Sequence, residues 1–374
     1  MIEVNKQRLI DEFMELVQVD SETKHEEKIS EVLKEKFTAL GLTVKEDNAK
    51  EKTGHGSNNL VFTLKGTEDA DPIFFTSHMD TVVPGAGITP SIEGDFIVSD
   101  GTTILGADDK AGIAAMLEAI KSLKEQDVEH GDLQFVITVG EESGLVGAKA
   151  FDSSLLNAKY GYAIDSNGQV GGIIVAAPTQ AKLYMTSHGK TAHAGVAPEE
   201  GISAITLAAK AIAKMPLGRI DDETTANIGR FEGGKATNIV SDEANILAEA
   251  RSLDPEKLDR QLEEMKKACQ VAENELGGSI EVKTETMYPG YKHKAGDQVV
   301  EVARKAASKI GRESELKKSG GGSDANIFAG LGIPTVNLCV GYENIHTTNE
   351  RMPVDELVKI SEFVTSIIIE AKEQ

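Results

Sequence analysis

The sequence predicts an α/β protein, a mostly parallel central sheet with helices on both faces that carries an inserted α+β unit. Three observations predict it. Up to about residue 164, short apolar strand-like runs alternate with helical segments, the pattern of a parallel sheet covered by helices. Near Pro178 the rhythm changes to a β-α-β-β-α-β order, a small unit of its own. After about residue 292 the first alternation returns. The chain therefore reads as a discontinuous domain over residues 1–179 and 292–374, interrupted by a second domain over 180–291.

The elements follow in order. Residues 5–18 and 26–40 read as helices; in the first, Leu9, Phe13 and Leu16 recur at roughly helical spacing. Residues 42–46 and 60–65 read as strands joined by a polar loop with Gly54, Gly56, Asn58 and Asn59. A strand at 72–77 follows. Ile113, Met116, Leu117, Ile120 and Leu123 fall on one face and predict a helix from about 109 to 125. Strands are expected at 133–139 and 160–164. The insertion reads as strand 180–187, helix 201–214, strands 225–231 and 243–251, helix 255–274 and strand 279–287. Helices at 297–310 and 323–330, a strand at 334–340 and a helix at 353–372 complete the chain.

The 374 residues carry 61 acidic and 39 basic side chains, a net charge of −22. Such a surface repels a phosphate backbone and argues against a nucleic-acid partner. The longest apolar stretch, Val170 to Ala177, is too short to cross a bilayer, and the first 20 residues are an amphipathic helix rather than a signal peptide. Cys269 and Cys339 form neither a disulfide framework nor a zinc-finger spacing, and read as reduced side chains of a cytoplasmic protein.

Imidazoles and carboxylates gather at the ends of the apolar runs. His78 and Asp80 close the run that begins at Pro72. Residues i and i+2 of a strand face one side, so His78 can bind a metal while Asp80 orients its ring. Taken alone, this is also an ordinary strand-end histidine with an acidic neighbour. Asp108 and Asp109 stand at the mouth of a helix. Capping accounts for Asp109, whereas the two oxygens of Asp108 could bridge two cations. Glu141 and Glu142 follow an apolar strand. Opposite directions in an extended chain would let one bind metal and leave the other free to take a proton from water; a solvated loop is the plainer reading. Asp165 ends another strand or starts a turn, and His346 lies in a loop. Five candidate ligands at strand carboxyl ends or the loops beyond are hard to explain separately. Mixed imidazole and carboxylate donors suit a divalent metal of the zinc type, with cobalt and manganese also tolerated.

Several segments resemble the dinuclear zinc peptidases and aminoacylases, most closely their peptidase T branch. They are Ser77-His78-Met79-Asp80-Thr81-Val82, Gly106-Ala107-Asp108-Asp109-Lys110-Ala111-Gly112, Glu141-Glu142-Ser143-Gly144, Tyr162-Ala163-Ile164-Asp165 and Asn344-Ile345-His346. The resemblance implies two zinc ions, one held by His78 and Asp165, the other by Glu142 and His346, with Asp108 bridging. It makes Glu141 the general base and Asp80 the support of His78. It implies that residues 180–291 form a lid and dimerisation domain, and that His193 reaches towards a substrate carbonyl from its own or a neighbouring chain. His188 matches no functional position and reads as surface. Asn238 and Arg251 match residues that contact substrate; Arg251 reads almost equally well as a strand-edge ion pair. Gly321, Gly322 and Ser323 precede a helix, where backbone N–H groups could hold a substrate anion or simply form a tight turn. The spacing of a phosphate-binding Walker motif is absent.

The expectation is thus a cytoplasmic metallo-aminopeptidase that removes the first residue of short peptides, tripeptides above all, possessing two divalent ions and pairing as a homodimer through the inserted domain. A carboxypeptidase, dipeptidase or N-acyl amino acid deacylase could share the framework. A metal-dependent binding protein without catalysis is the alternative of another class, and Glu141 argues against it.

Overall fold

The computed structural model describes residues 2–67 and 69–373; Met1 and Gln374, the ends of the first predicted domain, lie outside the described residues. Two units are present. One comprises Met1–Ala176, His293–Lys318 and Ser323–Gln374, the other Ala177–Lys292 and Ser319–Gly322.

The sheet of the first unit runs in the order Thr43–Glu46, Leu60–Leu64, Leu133–Thr138, Ile73–His78, Tyr160–Ser166, Thr335–Cys339, Gly172–Ala177, with Glu315–Lys318 paired to the last. The four strands at its centre, Leu133–Thr138 through Thr335–Cys339, are mutually parallel. Leu60–Leu64 and Gly172–Ala177 flank them antiparallel. The central strands are buried on both faces, which is why they read as continuous apolar runs. Phe74 and Phe75 show the pleat. Phe75 packs on Phe135 and Tyr162, at 5.8 and 5.6 Å between ring centres. Phe74 points to the other face, 5.1 Å from Phe328.

The helix Ala107–Glu125 lies in the largest of the hydrophobic cores, and its residues are buried on every side through Ile120, not on one face only. The N-terminal helix Lys6–Val17 is capped by Asn5 and buries Leu9, Phe13 and Leu16 completely. Two ion clusters tie it down. Arg8 forks onto the buried Glu118 at 2.7 and 2.8 Å. Glu12 sits between Lys36 and Lys121, at 2.7 and 2.6 Å.

In the second unit an antiparallel sheet runs in the order Gly218–Arg219, Thr224–Gly233, Glu243–Ser252, Thr179–His188, Ser279–Tyr288. Helices Ala204–Lys214 and Pro255–Leu276 cover one face, around Leu183, Met185, Leu207 and Met265. Each begins at a capping residue, Ser203 and Asp254, the latter followed by Pro255.

Several short elements are not anticipated from the sequence. The apolar run near Val170 contains the strand Gly172–Ala177. Ser91–Glu93, Phe96–Val98 and Arg351–Pro353 form a three-stranded sheet, and the polar loop after residue 46 holds a short helix, Ala49–Thr53. Three residues carry too little periodicity to be read as a strand. Among the described residues no helix is long and apolar enough to cross a membrane.

Candidate metal centre

The carboxyl ends of the four parallel strands lie on one edge of the sheet, and His78, Glu141, Glu142, Asp165 and His346 come from those ends or the loops that follow. Asp108 joins them from the non-helical start of Ala107–Glu125. Asp109 behaves as a cap: its Oδ1 accepts the Gly112 N–H at 3.3 Å.

His78 is buried, and its Nδ1 donates to the main-chain carbonyl of Asp80 at 2.9 Å. That bond leaves Nε2 as the free ligand atom. Nε2 lies 3.1 Å from Asp108 Oδ1 and 3.8 Å from Asp165 Oδ1. The support expected from the Asp80 side chain is thus shared with its backbone: Oδ1 stands 3.4 Å from the same Nδ1, farther than the carbonyl, because the strand stops at His78. Its carboxylate also accepts the N–H groups of Glu141 and Glu142 and the Thr23 hydroxyl.

His346 sits on a loop at φ +62°. Its Nε2 is 2.9 Å from Glu142 Oε1 and 3.2 Å from Asp108 Oδ2. The two oxygens of Asp108 therefore address different histidines. His78–Asp108–Asp165 and Asp108–Glu142–His346 each bring ligand atoms within 4.8 Å, as do His78, Glu141 and Glu142. Glu141 and Glu142 do not diverge as neighbours on a strand. Gly140, at φ +58°, ends the extended chain, and Glu141 opens a turn in which its carbonyl accepts from Gly144 and Leu145.

The electrostatics suit a cation. Burial, with Asp108 nearby, raises Asp165 well above the usual carboxylate range. Burial and the carboxylates of Asp324, Glu142 and Asp108 raise Glu141 likewise, against the pull of His78. Hydrogen bonds to Asp108 and Glu142 push His346 up to about 10. Four carboxylates crowd two imidazoles, and oxygen and nitrogen donors in this mixture fit zinc or a neighbouring transition metal. Lys110, pushed down to about 8 chiefly by burial, is turned aside to Ser21 and the Met79 carbonyl.

Behind the ligands stand residues that the sequence reading passes over. Tyr342 donates to Asp165 Oδ1 at 3.1 Å, and Asn337 exchanges two hydrogen bonds with the Asp165 backbone. His55 meets Ser143 at 2.9 Å, beside the glutamate turn. Glu350 accepts backbone N–H groups leading into Asp108. None bears a motif; each is visible only once distant segments meet.

The remaining candidates divide between the units. In the second unit, His193 and Asn238 lie on neighbouring segments, joined by the Ala194 N–H to the Asn238 carbonyl. His193 is exposed and its Nδ1 accepts the Gly195 N–H, which places the proton of a neutral ring on Nε2. His188 is half-exposed beside Glu281, as a surface residue would be. Arg251 is on an interior strand, not an edge, and forks onto Glu249 while reaching the Gly320 carbonyl. The N–H of Gly321 is taken by Ser319, and a Cβ on Gly322 would strike the Tyr288 ring. In the first unit, Ser323 and Asn326 form a reciprocal capping box at the seven-residue helix Asp324–Gly330. These bonds make 319–323 a tight turn whose donors at 321 and 323 are already engaged.

An open α/β sheet with this donor set on its carboxyl edge defines an enzyme of the metal-site class. The sequence signature of Peptidase family M20/M25/M40 matches residues 74–370, and the chain belongs to that family. It is 67% identical to the protein YqjE of Bacillus subtilis (strain 168), over 98% of this chain and 99% of that one. The crystal structure of aminopeptidase PepT from Bacillus cereus ATCC 10987 superposes with a TM-score of 0.94 at 64% identity, covering 98% and 99% of the two chains. A tripeptidase structure from Staphylococcus aureus subsp. aureus mu50 gives 0.96 at 52% identity, covering 99% and 100%.

Proposed function

We propose that this peptidase is a two-metal aminopeptidase that removes the N-terminal residue from short peptides, tripeptides foremost. The observation that carries the reading is Asp108, whose oxygens stand 3.1 and 3.2 Å from the Nε2 atoms of two different histidines. The similarity to an aminopeptidase and a tripeptidase supports the substrate class.

His78, Asp108 and Asp165 would hold one divalent ion, and Asp108, Glu142 and His346 the other; zinc fits, as would cobalt or manganese. Bound there, the ions would supply Lewis acidity to a scissile carbonyl and lower the pKa of the attacking water. Glu141 would take a proton from the attacking water and pass it to the leaving amine. The Asp80 carboxylate holds the Glu141 backbone while its carbonyl fixes the His78 ring. His193, with its proton on Nε2, donates to the oxygen that gains charge. Asn238, Arg251 and the 321–323 turn contact the peptide in the same reading, which rests on the family resemblance. It also takes residues 180–291 as the dimerisation domain, and the two buried free thiols fit a reducing cytoplasm.

Di-, tri- and tetrapeptides, free or blocked at either end, test the assignment at defined metal content. Release of the first residue from free tripeptides, suppressed by N-acetylation, is expected. Hydrolysis of N-acyl amino acids with tripeptides left intact would assign the chain to the deacylases instead.

A further inference from the structure

We propose that Glu350 is a positioning residue that sets the bridging Asp108 and the His346 loop in register, and so governs one of the two metal positions. The inference rests on the two-ion reading above. Glu350 is 2% exposed, and its carboxylate is spent on backbone donors. Oε2 accepts the Leu105 and Gly106 N–H groups, both at 2.8 Å, and Oε1 accepts the Asp108 N–H at 3.1 Å. One side chain thus grips the segment that delivers Asp108 at three points.

The other end of that grip is the loop that carries His346. Its backbone closes on itself. Glu343 and Arg351 exchange N–H to carbonyl bonds, the Glu350 N–H reaches the Thr347 carbonyl, and Thr347 Oγ1 donates to the Asn344 carbonyl. Asn344 and His346 both take positive φ within it, at +56° and +62°. A loop so constrained moves as a piece, and Glu350 is where it is pinned to the Asp108 segment. The distance from His346 Nε2 to Asp108 Oδ2, 3.2 Å, is therefore set across this carboxylate.

The other metal position shares Asp108 but takes its remaining ligands from elsewhere. His78 is oriented by the Asp80 carbonyl, and Asp165 by Asn337 and Tyr342. Loss of Glu350 should then disturb the Asp108–Glu142–His346 position, which loses the register of two ligands, more than its neighbour, which loses that of Asp108 alone. Glutamine is no substitute, because its amide nitrogen would turn a donor towards a backbone N–H.

The test is a titration of the full-length, chelator-stripped protein with Co2+, followed by calorimetry and by the visible absorption of the bound ion. Wild type should take two ions per chain. Glu350→Gln should lose about 10–100-fold in one binding step, the range for removal of a group that orients metal ligands, and clearly less in the other. Glu350→Asp retains the carboxylate one methylene shorter; it should recover part of the weakened step, and it supplies the same comparison if the glutamine variant does not fold. Two unchanged steps, or two steps weakened alike, would show a residue that only stabilises the fold and would overturn the proposal. Fewer than two ions on the wild type would overturn the two-ion reading and this inference with it.

Discussion

The Asp80 carboxylate accepts the backbone N–H of Glu141 at 3.0 Å. Through this bond the segment that presents His78 also fixes the turn that presents the proposed base. The second oxygen takes the Glu142 N–H at 3.3 Å and the Thr23 hydroxyl at 2.5 Å. Asp80→Asn would present an amide N–H2 to one of these donors, yet leave the main-chain carbonyl that orients His78. The expected result is a kcat lower by about 10–100-fold with both ions still bound. Unchanged turnover would mean that the glutamate turn holds its shape without the carboxylate.

Glu141 and Glu142 share the turn but differ in their neighbours, since Glu142 alone of the two meets His346. Glu141→Gln should retain metal and lose about 10²–10⁴-fold in kcat, the usual contribution of a positioned base. Glu142→Ala should weaken metal binding itself. Metal analysis beside steady-state kinetics separates the two, and near-wild-type kcat in Glu141→Gln would remove the base from the mechanism.

His193 is exposed, and the Gly195 N–H leaves its Nε2 as the donor of a neutral ring. A donor that acts on charge developing at the carbonyl oxygen contributes chiefly to the transition state. His193→Ala should lower kcat by a larger factor than it raises KM. A change confined to KM would make it a ground-state contact only.

Far from the metal centre, Glu12 offers a test of the electrostatics of the fold. Burial alone would raise its pKa, but the partnership with Lys121 and Lys36 outweighs burial and lowers it. A carboxylate lowered in the folded state adds stability above its ordinary value near 4.5, and this is lost as pH falls through the folded value. Glu12→Gln should cost about 1–3 kcal/mol near neutral pH. The gap from wild type should narrow in denaturant unfolding below about pH 4.5. A gap that is constant with pH would assign the loss to packing.

Much of the fold is legible in the sequence because long elements carry periodicity. Leu9, Phe13 and Leu16 mark a helix face, and the run through Phe74 and Phe75 marks a strand buried on both sides. The three-residue strands around Ile92 and Ile97 carry no such signal. At the site, His78, Asp108, Asp165, Glu142 and His346 could be named because each follows an apolar run or belongs to a recognisable segment, and the structure brings them together. The geometry around them was less readable. The preceding apolar run puts Glu141 and Glu142 on extended chain, but Gly140 bends the backbone first. Strand spacing assigns the hold on His78 to the Asp80 side chain; the Asp80 carbonyl takes the shorter contact to Nδ1, at 2.9 Å, with the carboxylate beside it at 3.4 Å. Glu350 looks like any exposed glutamate in a loop until Leu105, Gly106 and Asp108 are folded against it.

The central claim is that Asp108 lies between two metal ions, and anomalous diffraction from crystals grown with zinc tests it most directly. Data collected on either side of the zinc absorption edge should show two peaks about 3.5–4 Å apart. One should lie within bonding distance of His78 and Asp165, the other of Glu142 and His346, with an Asp108 oxygen on each. A single peak at full occupancy, or two peaks that do not share Asp108, would contradict the account.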